Sequence, residues 1–403
     1  MTTQHRDLRT GQPIWLGKRA PRIKTNLLIQ DVETDVAVIG AGISGALMAE
    51  SLSEAGYEVA IFDRRLPVTG STPASTALLQ FEIDVPLHHL ARKIGQKDAE
   101  RAWRRSKLAV DLLRERTRRL GIKCEMENRD SLYLAGDLLD EEGLQKELNA
   151  RRRAGFETRM LSKAELNAEF NIDRDAALMS FDNIEANPRR LAIGYLCKAM
   201  ERGAKVFAPA DIASVESNER TVVAVTTTGQ KIRCKHLIFA TGYEIPEQVP
   251  QKGHSITSTW ALATLPQKRN LWPQRCLIWE ASDPYLYLRT TTDGRIIVGG
   301  EDEKFEDEEK RDVRLPAKTK AILAKLKKLF PGIVAEADYA WTGSFGASST
   351  GLPSIGAVPG MHRCYAVLGY GGNGITFSMV AAQLIHGLIR GTGDPDEDLF
   401  AFK

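Results

Sequence analysis

The sequence predicts an α/β protein built on a buried parallel β-sheet with helices packed against it. Residues 36–39 form a short apolar, β-branched run typical of buried parallel strands. Residues 46–55 are rich in good helix formers. Between these segments, Gly40, Gly42 and Gly45 form the pattern Gly-x-Gly-x-x-Gly. A strand, a glycine-rich turn and a helix in this order predict a βαβ unit.

The glycine-rich turn is suited to hold the pyrophosphate of a dinucleotide. Gly40 permits the tight turn, Gly42 lets backbone approach the pyrophosphate, and Gly45 lets the helix pack closely on the strand. Backbone N–H groups at the positive end of the helix then bind the anion. We therefore assign the residues of this turn to a cofactor: Gly40, Ala41, Gly42, Ile43, Ser44 and Gly45.

A second strand and the acid that ends it strengthen the prediction of a dinucleotide site. Residues 57–62 are typical of a strand, and Asp63 follows Gly40 by 23 residues, close to the spacing of the acid that binds an adenosine ribose. A carboxylate there accepts hydrogen bonds from ribose hydroxyls and repels a 2′-phosphate. Arg64 and Arg65 follow directly, so a phosphorylated ribose is not strictly excluded. The alternative is a βαβ unit without nucleotide, which the combination of glycines, strand, helix and acid disfavours.

Composition and charge argue against several other classes of protein. At 403 residues the chain is long enough for two domains, and a net charge of +3 favours neither nucleic acid nor a membrane surface as a partner. No run of about eighteen apolar residues occurs, so we expect no transmembrane helix. The five cysteines are dispersed and the seven histidines show no metal-ligand spacing. We therefore expect a cytoplasmic protein with reduced thiols and no metal site.

Two further segments are suited to bind a large anionic cofactor. The loop at residues 70–77 follows the second strand, and its small hydroxylated residues offer hydroxyl and backbone N–H donors. Residues 369–376 are rich in glycine and open the final helix, which makes a second anion-binding N-terminus. Two such sites at opposite ends of the sequence indicate a large cofactor held at both of its ends.

Strands and an N-terminal arm complete the organisation of the chain. Residues 250–340 are rich in short predicted strands, and the clearest hairpin pairs residues 285–289 with residues 295–298 across an Asp-Gly turn. The residues that precede the βαβ unit contain no signal-peptide pattern. We expect an arm that lies across the protein with Trp15 as an anchor, and a disordered tail is the alternative.

In combination, these segments resemble the flavoprotein oxidoreductases related to D-amino acid oxidase, glycine oxidase and monomeric sarcosine oxidase. The matching set is residues 36–45 with Asp63, 70–77, 187–191, 237–242, 293–300 and 351–376. The resemblance implies FAD and a Rossmann-like FAD-binding domain interleaved with a substrate domain built on an antiparallel sheet. The implied segments are residues 30–85, 165–248 and 340–403 for the FAD-binding domain, residues 86–164 and 249–339 for the substrate domain, and residues 1–29 for the arm.

The resemblance also implies which residues contact FAD. Hydroxylated residues of the 70–77 loop would line the phosphates and the flavin edge, and the glycine-rich segment before the final helix would lie by the flavin pyrimidine ring. A helix N-terminus there stabilises the negative charge that flavin reduction creates. The implied contacts beyond the first glycine turn and Asp63 are Arg64, Arg65, Ser71, Thr72, Ser75, Thr76, Ala77, Ile212, Thr241, Gly242, Gly371, Gly372, Asn373, Gly374, Ile375 and Thr376.

Departures from the pattern of these relatives bear on both the cofactor and the substrate. Sarcosine-oxidase-like members attach flavin to a cysteine near the segment that here reads Gly343-Ser344, so we expect non-covalent FAD. The positions at which relatives bind a substrate carboxylate with cations are neutral: Gln80, Phe345, Gly372 and Thr376. We therefore expect either a substrate other than a simple amino acid or another cation as the anchor. Arg289 is the candidate, and a solvent-facing strand arginine is the alternative.

The sequence as a whole predicts an FAD-dependent oxidoreductase that oxidises the C–N bond of a small amine or amino-acid derivative by hydride transfer. The electron acceptor would be O2 or another acceptor, and the oligomeric state is open. The predicted catalytic and substrate-binding residues are Gln80, Tyr287 and Arg289. Two alternatives stay open: a flavoenzyme that oxidises a hydroxy acid, which would need a histidine base near the flavin, and a non-catalytic FAD-holding subunit of a larger dehydrogenase.

Overall fold

The computed structural model of the protein describes residues 5–402, which fold around two β-sheets. The strands are β1 (Val32–Ile39), β2 (Val59–Phe62), β3 (Leu78–Leu79), β4 (Glu127–Leu134), β5 (Thr158–Ser162), β6 (Ala176–Glu185), β7 (Lys205–Phe207), β8 (Ile212–Ser217), β9 (Val222–Thr226), β10 (Lys231–Phe239), β11 (His254–Thr264), β12 (Leu277–Glu280), β13 (Leu286–Thr290), β14 (Ile296–Glu303), β15 (Ala337–Ser348), β16 (Ser354–Ala357) and β17 (Cys364–Leu368). The helices are α1 (Ile14–Gly17), α2 (Ile43–Glu54), α3 (Leu87–Ile94), α4 (Gln96–Arg119), α5 (Glu141–Arg153), α6 (Lys163–Phe170), α7 (Pro188–Glu201), α8 (Glu308–Val313), α9 (Leu315–Leu329), α10 (Gly374–Arg390) and α11 (Glu397–Phe400).

The first sheet contains the predicted βαβ unit at its centre. Its strand order is β16-β17-β10-β1-β2-β7, in which all pairs are parallel except the edge pair of β16 with β17. Helices α2, α7 and α10 pack together beside this sheet. Strand β1 is buried from Val36 to Ile39 because helices cover one face and the β8–β9 pair and neighbouring segments cover the other. The α/β class and the parallel sheet predicted from the sequence are confirmed.

The second sheet has the order β15-β11-β14-β13-β12-β4-β6-β3, with β5 paired to β6. The predicted hairpin is present as β13 and β14, and Gly294 in its turn has a φ of +90°. The pairs of this sheet are antiparallel, as the antiparallel-sheet substrate domain requires, except that β4 and β12 run parallel. Strands β4 and β12 are more than a hundred residues apart in the chain. The local sequence pattern of each strand therefore cannot indicate whether the two pair in parallel or antiparallel.

Four elements lie in a different layer from the one that the predicted domain segments imply. Strands β3 and β6 and most of β15 lie in segments assigned to the FAD-binding domain, yet all three belong to the second sheet. Helix α4 lies in a segment assigned to the substrate domain, yet it packs against α10 of the first layer. The chain therefore crosses between the layers more often than the segments imply, and the exact boundaries stay a prediction.

The N-terminal arm, described from His5 onward, contacts both sheets. Gly11 forms a bridge with Trp341 of β15, and Asn26 forms a bridge with Phe207 of β7. The Trp15 side chain is buried, and its indole Nε1 donates a hydrogen bond to the Ser75 carbonyl at 2.7 Å. The arm thus lies across the protein with Trp15 at its anchor, while residues 1–4 lie outside the described part. In residues 5–402, no helix has the length and apolar character needed to cross a membrane.

Candidate active site

A cavity of about 1820 Å³, counting its open mouth, lies between the two sheets. The first sheet contributes the residues that follow β1, β2 and β10, and the second contributes side chains from β11, β12, β13 and β15. In α/β proteins, ligands bind at the carboxyl ends of parallel strands. The cavity is therefore the candidate active site.

The glycine turn between β1 and α2 presents backbone to this cavity. Gly40 has a φ of +110°, and a Cβ added there would collide with the Ala240 carbonyl oxygen. A Cβ added to Gly45 would overlap the Gly40 carbonyl oxygen, so close packing of α2 on the turn requires glycine. Gly42 caps α2 without a side-chain hydrogen bond of its own, and it lines the cavity at the start of the helix.

Asp63 is held in place by the backbone at the end of β2. Its carboxylate accepts hydrogen bonds from the Ala41 N–H at 2.7 Å and from the Arg65 N–H at 2.8 Å. Burial raises the pKa of Asp63, and these two hydrogen bonds oppose the rise. The carboxylate lines the cavity beside the glycine turn, and its contact with an adenosine ribose stays a prediction.

The two arginines after Asp63 are engaged by carboxylates. Arg65 donates two hydrogen bonds to Glu244, at 2.6 Å and 2.7 Å, and hydrogen bonding to Glu244 raises the pKa of Arg65. Arg64 lies 3.6 Å from Asp211. Because both guanidinium groups face acids, this end of the cavity contains little uncompensated positive charge. The geometry favours a ribose without a 2′-phosphate.

The loop at residues 70–77 is fixed from both sides. Thr72 accepts a hydrogen bond from the Ile43 N–H at 3.1 Å, which ties the loop to the start of α2. Trp341 of β15 donates to the Ala74 carbonyl at 2.8 Å, and Trp15 of the arm binds the next carbonyl. The loop is therefore preorganised beside the glycine turn.

The second glycine-rich segment is tied to Gln80, the residue that follows β3. The Gln80 carbonyl accepts hydrogen bonds from Thr376 Oγ1 at 3.0 Å and from Asn373 Nδ2 at 3.3 Å. The Gln80 side chain lines the cavity, and its buried Nε2 has no hydrogen-bond partner among residues 5–402. An unpartnered buried amide donor at a cavity wall fits a bound group that supplies acceptors.

Most predicted cofactor residues come together at the cavity. Those lining it are Gly40, Gly42, Ile43, Ser44, Asp63, Arg64, Arg65, Ser71, Thr72, Ser75, Thr76, Ala77, Ile212, Thr241, Gly242, Gly371, Gly372, Asn373, Gly374 and Ile375. Ala41, Gly45 and Thr376 lie behind the wall, and each supports it through a backbone contact or a hydrogen bond. The specific contacts of these residues with FAD stay a prediction.

The structure places Arg289 away from the cavity, although it lies on the same strand as Tyr287. The Arg289 side chain is 3% exposed, and its Nη1 donates to the carbonyl oxygens of Ala77 and Ala186, both at 2.9 Å. Its Nε lies 3.2 Å from the Glu185 carboxylate. The solvent-facing alternative is wrong, because the side chain is buried, and the role of Arg289 as a substrate anchor stays a prediction that these contacts disfavour. Its contacts fix the chain at Ala77, where the 70–77 loop ends.

Tyr287 and Gln80 do line the cavity, and sequence reasoning missed the rest of the wall around them. Tyr287 Oη lies 3.0 Å from Thr259 Oγ1, and the rings of Tyr285 and Tyr287 are 5.3 Å apart. Trp279 lines the same cavity and stacks on the buried Tyr133 at 3.8 Å. The alternation of Tyr285 and Tyr287 along a half-buried strand was the available signal.

Asp84 is a further cavity residue that the sequence motifs did not reveal. It lies between β3 and α3, and its Oδ2 accepts a hydrogen bond from the Gly372 N–H at 2.6 Å. A Cβ at Gly372 would lie 2.9 Å from Asp84 Oδ1. The Asp84 side chain is exposed to the cavity, and desolvation by the neighbouring residues raises its pKa. Glycine at 372 thus leaves room for an acid.

Comparison with known proteins agrees with this geometry. The family model described as "FAD dependent oxidoreductase", named DAO, matches residues 35–388. The chain belongs to the DAO family of FAD-dependent oxidoreductases. It is 24% identical over 382 residues to gamma-glutamylputrescine oxidoreductase of Escherichia coli, covering 91% of this chain and 86% of that protein. It is 25% identical over 386 residues to glycine oxidase of Bacillus licheniformis, covering 92% and 96% of the two chains.

The fold agrees with solved structures of the family as well. Glycine oxidase from Geobacillus kaustophilus superimposes with a TM-score of 0.75 at 18% identity, covering 92% of this chain and 99% of that one. The cofactor is FAD, which accepts a hydride in such enzymes. The residues present fit it, since the glycine turn, Asp63 and the unpartnered Gln80 amide line one cavity.

We expect FAD to be released intact when this DAO-family protein is denatured. None of the five cysteines lines the cavity in the described part of the chain, and each is buried or half-buried elsewhere. The test is acid precipitation followed by measurement of flavin absorbance in the supernatant. Yellow colour that stays with the precipitated chain would contradict the expectation of a non-covalent cofactor.

Proposed function

We propose that the protein oxidises the C–N bond of an amine that has no carboxylate next to the reacting carbon, by hydride transfer to FAD. The proposal rests on the charges around the cavity. The described lining residues contain two cations, Arg64 and Arg65, and both face carboxylates near Asp63. A substrate carboxylate buried away from these cations would find no partner, which is strongly disfavoured.

Neutral and aromatic groups form the remainder of the wall. The family resemblance implies a carboxylate-binding cation at three positions that are neutral here: Gln80, Phe345 and Gly372. All three residues line the cavity. The rings of Trp279, Tyr285 and Tyr287 add apolar surface. An apolar, aromatic environment favours the neutral amine, which is the reactive form, over the ammonium ion by desolvation.

The names of the relatives support an amine or amino-acid substrate class. One curated relative is a gamma-glutamylputrescine oxidoreductase and another is a glycine oxidase. The charges around the cavity favour an amine without a carboxylate at the reacting carbon over an amino acid such as glycine. No histidine lines the cavity among residues 5–402, which counts against hydroxy-acid oxidation with a histidine base.

The test is anaerobic reduction of the flavin by matched pairs, each an amino acid with its amide or its decarboxylated amine. We expect the amine or amide to bleach the flavin at least roughly tenfold faster than the amino acid, a difference of about 1.4 kcal/mol in transition-state binding. Hydroxy acids serve as the control series. Fast reduction by glycine or sarcosine, or by a hydroxy acid, would show that the substrate class is wrong.

A further inference from the structure

We propose that the cavity recognises a second positive charge on its amine substrate, with Asp84 as the anionic partner and the rings of Trp279, Tyr285 and Tyr287 as the surrounding wall. This inference rests on the proposed amine oxidation. It adds a substrate class, amines with a second cationic group, and a residue that selects that class.

The charges lining the cavity fall into two groups. Asp63, Arg64, Arg65, Asp211 and Glu244 contact one another or the same backbone at the end of β2. Asp84 is the one acidic or basic lining residue outside that group in the described chain. Its site therefore carries an acid that no protein cation balances.

The contacts of Asp84 leave it available to a ligand. Within residues 5–402, its carboxylate has one hydrogen bond, from the Gly372 N–H at 2.6 Å to Oδ2. Oδ1 faces the space that a Cβ at Gly372 would fill and Oδ2 the space that a Cβ at Gly371 would fill, and glycine at both positions keeps that space open. A carboxylate accepts several hydrogen bonds, so an ammonium group can take the remaining acceptor positions.

The aromatic wall is suited to the same cation. Trp279, Tyr285 and Tyr287 line the cavity, and the tyrosine rings are 5.3 Å apart. Burial is the largest cause of the raised pKa of Tyr285, and the charge of Asp84 is the next. The Asp84 carboxylate therefore interacts electrostatically with Tyr285. Aromatic faces attract ammonium groups, most strongly where water is excluded.

A second acid, Asp302, lies behind the wall. Both of its carboxylate oxygens are buried, and burial raises the pKa of Asp302 to about 7, so it carries only part of a negative charge at neutral pH. After burial, the charge of Asp302 is the next cause of the raised pKa of Tyr287. The cation near Asp302 is Lys318, and it forms ion pairs with Glu301 and Glu303. The wall thus favours a cation on the cavity side.

The two ends of such a substrate have separate roles. One amine must lose its proton so that its lone pair can form the C=N bond as the adjacent carbon gives up its hydride, and the apolar wall favours that loss. The other nitrogen stays protonated and forms a charge-assisted hydrogen bond with Asp84. A substrate with two amines separated by a short chain satisfies both requirements, whereas an alkyl monoamine satisfies only the first.

The experiment measures anaerobic flavin reduction of the holoenzyme by α,ω-diamines and by monoamines of the same length, such as 1,4-diaminobutane and butylamine. A third probe, N-acetyl-1,4-diaminobutane, keeps the length but removes the distal charge. We expect the diamine to have an apparent Kd lower than that of the monoamine by roughly 10- to 100-fold, and the acetylated probe to resemble the monoamine.

Asp84→Asn removes the charge and keeps the shape, and we expect it to abolish the diamine preference. Asp130→Asn is the matched control, because Asp130 is half-buried and has a raised pKa but does not line the cavity. It should retain the preference. The wild-type ratio of the three probes tests the proposal even if Asp84→Asn fails to fold.

The outcomes separate the two proposals. If butylamine and 1,4-diaminobutane reduce the flavin equally well, the second-charge proposal is wrong while amine oxidation stands. A diamine preference that persists in a folded, FAD-loaded Asp84→Asn variant also overturns the role of Asp84. If no amine of the panel reduces the flavin while another substrate class does, the proposed function itself is wrong.

Discussion

Replacing Arg289 with alanine should lower the free energy of unfolding by about 3–5 kcal/mol, the usual cost of removing one partner from a buried ion pair. The guanidinium is almost completely buried and lies 3.2 Å from Glu185. It also donates hydrogen bonds to two carbonyl oxygens, of Ala77 and Ala186. Without it, these acceptors lose their charged donor in a dry environment, and the 70–77 loop loses one of its attachments to the second sheet.

The measurement is urea unfolding of the Arg289→Ala protein with FAD in excess, alongside an Arg129→Ala control. Arg129 contacts the same Glu185 at 3.0 Å, but its side chain is 16% exposed and it does not bind the two carbonyls. We expect the control to lose less stability. Normal stability of Arg289→Ala combined with selective loss of activity on carboxylate substrates would restore Arg289 as a substrate anchor.

Replacing Asp63 with alanine should weaken FAD binding by roughly 1–3 kcal/mol, the contribution of a charge-assisted hydrogen bond. The effect on the empty protein should be smaller. Burial raises the pKa of Asp63, so at neutral pH its ionised form costs stability instead of adding it, and that cost falls as the pH drops through the raised pKa. The loss should therefore appear in cofactor affinity.

Fluorescence titration of the apoprotein with FAD measures this affinity, and flavin reduction at saturating FAD measures the chemistry. We expect the first to change and the second to stay near the wild-type value. Asp35→Ala is a suitable control, because Asp35 lies at the other end of the first sheet and pairs with Lys235 at 2.7 Å. Unchanged FAD affinity in Asp63→Ala would mean that the ribose is bound elsewhere.

The features that the sequence could predict are those with a local cause. The turn at Gly40 and Gly45 requires glycine because neighbouring carbonyls fill the space of a side chain, and this requirement leaves a pattern a few residues long. The β13–β14 hairpin follows from an Asp-Gly turn between alternating residues. Both features were predicted from the sequence with the correct element types.

The features that escaped prediction depend on contacts between distant segments. Tyr287 and Arg289 share a strand face, so the sequence predicts that both reach the same site. Two residues along a strand correspond to roughly 7 Å, and that displacement moves Arg289 from the cavity to Glu185. Asp84 belongs to no motif, and its position becomes meaningful only because Gly372, almost three hundred residues later, lies against it.

The central strands of the first sheet also constrain when the cofactor can be acquired. Strand β1 is flanked by β2 and by β10, and β10 is in turn flanked by β17, near the end of the chain. A nascent chain on the ribosome cannot complete this sheet until β17 has emerged. Gly371 and Asn373 line the cavity and lie between β17 and α10. This part of the wall therefore forms after β17 has emerged. The complete FAD cavity therefore requires segments from both halves of the chain, and a first sheet without β17 leaves the edge of β10 unpaired.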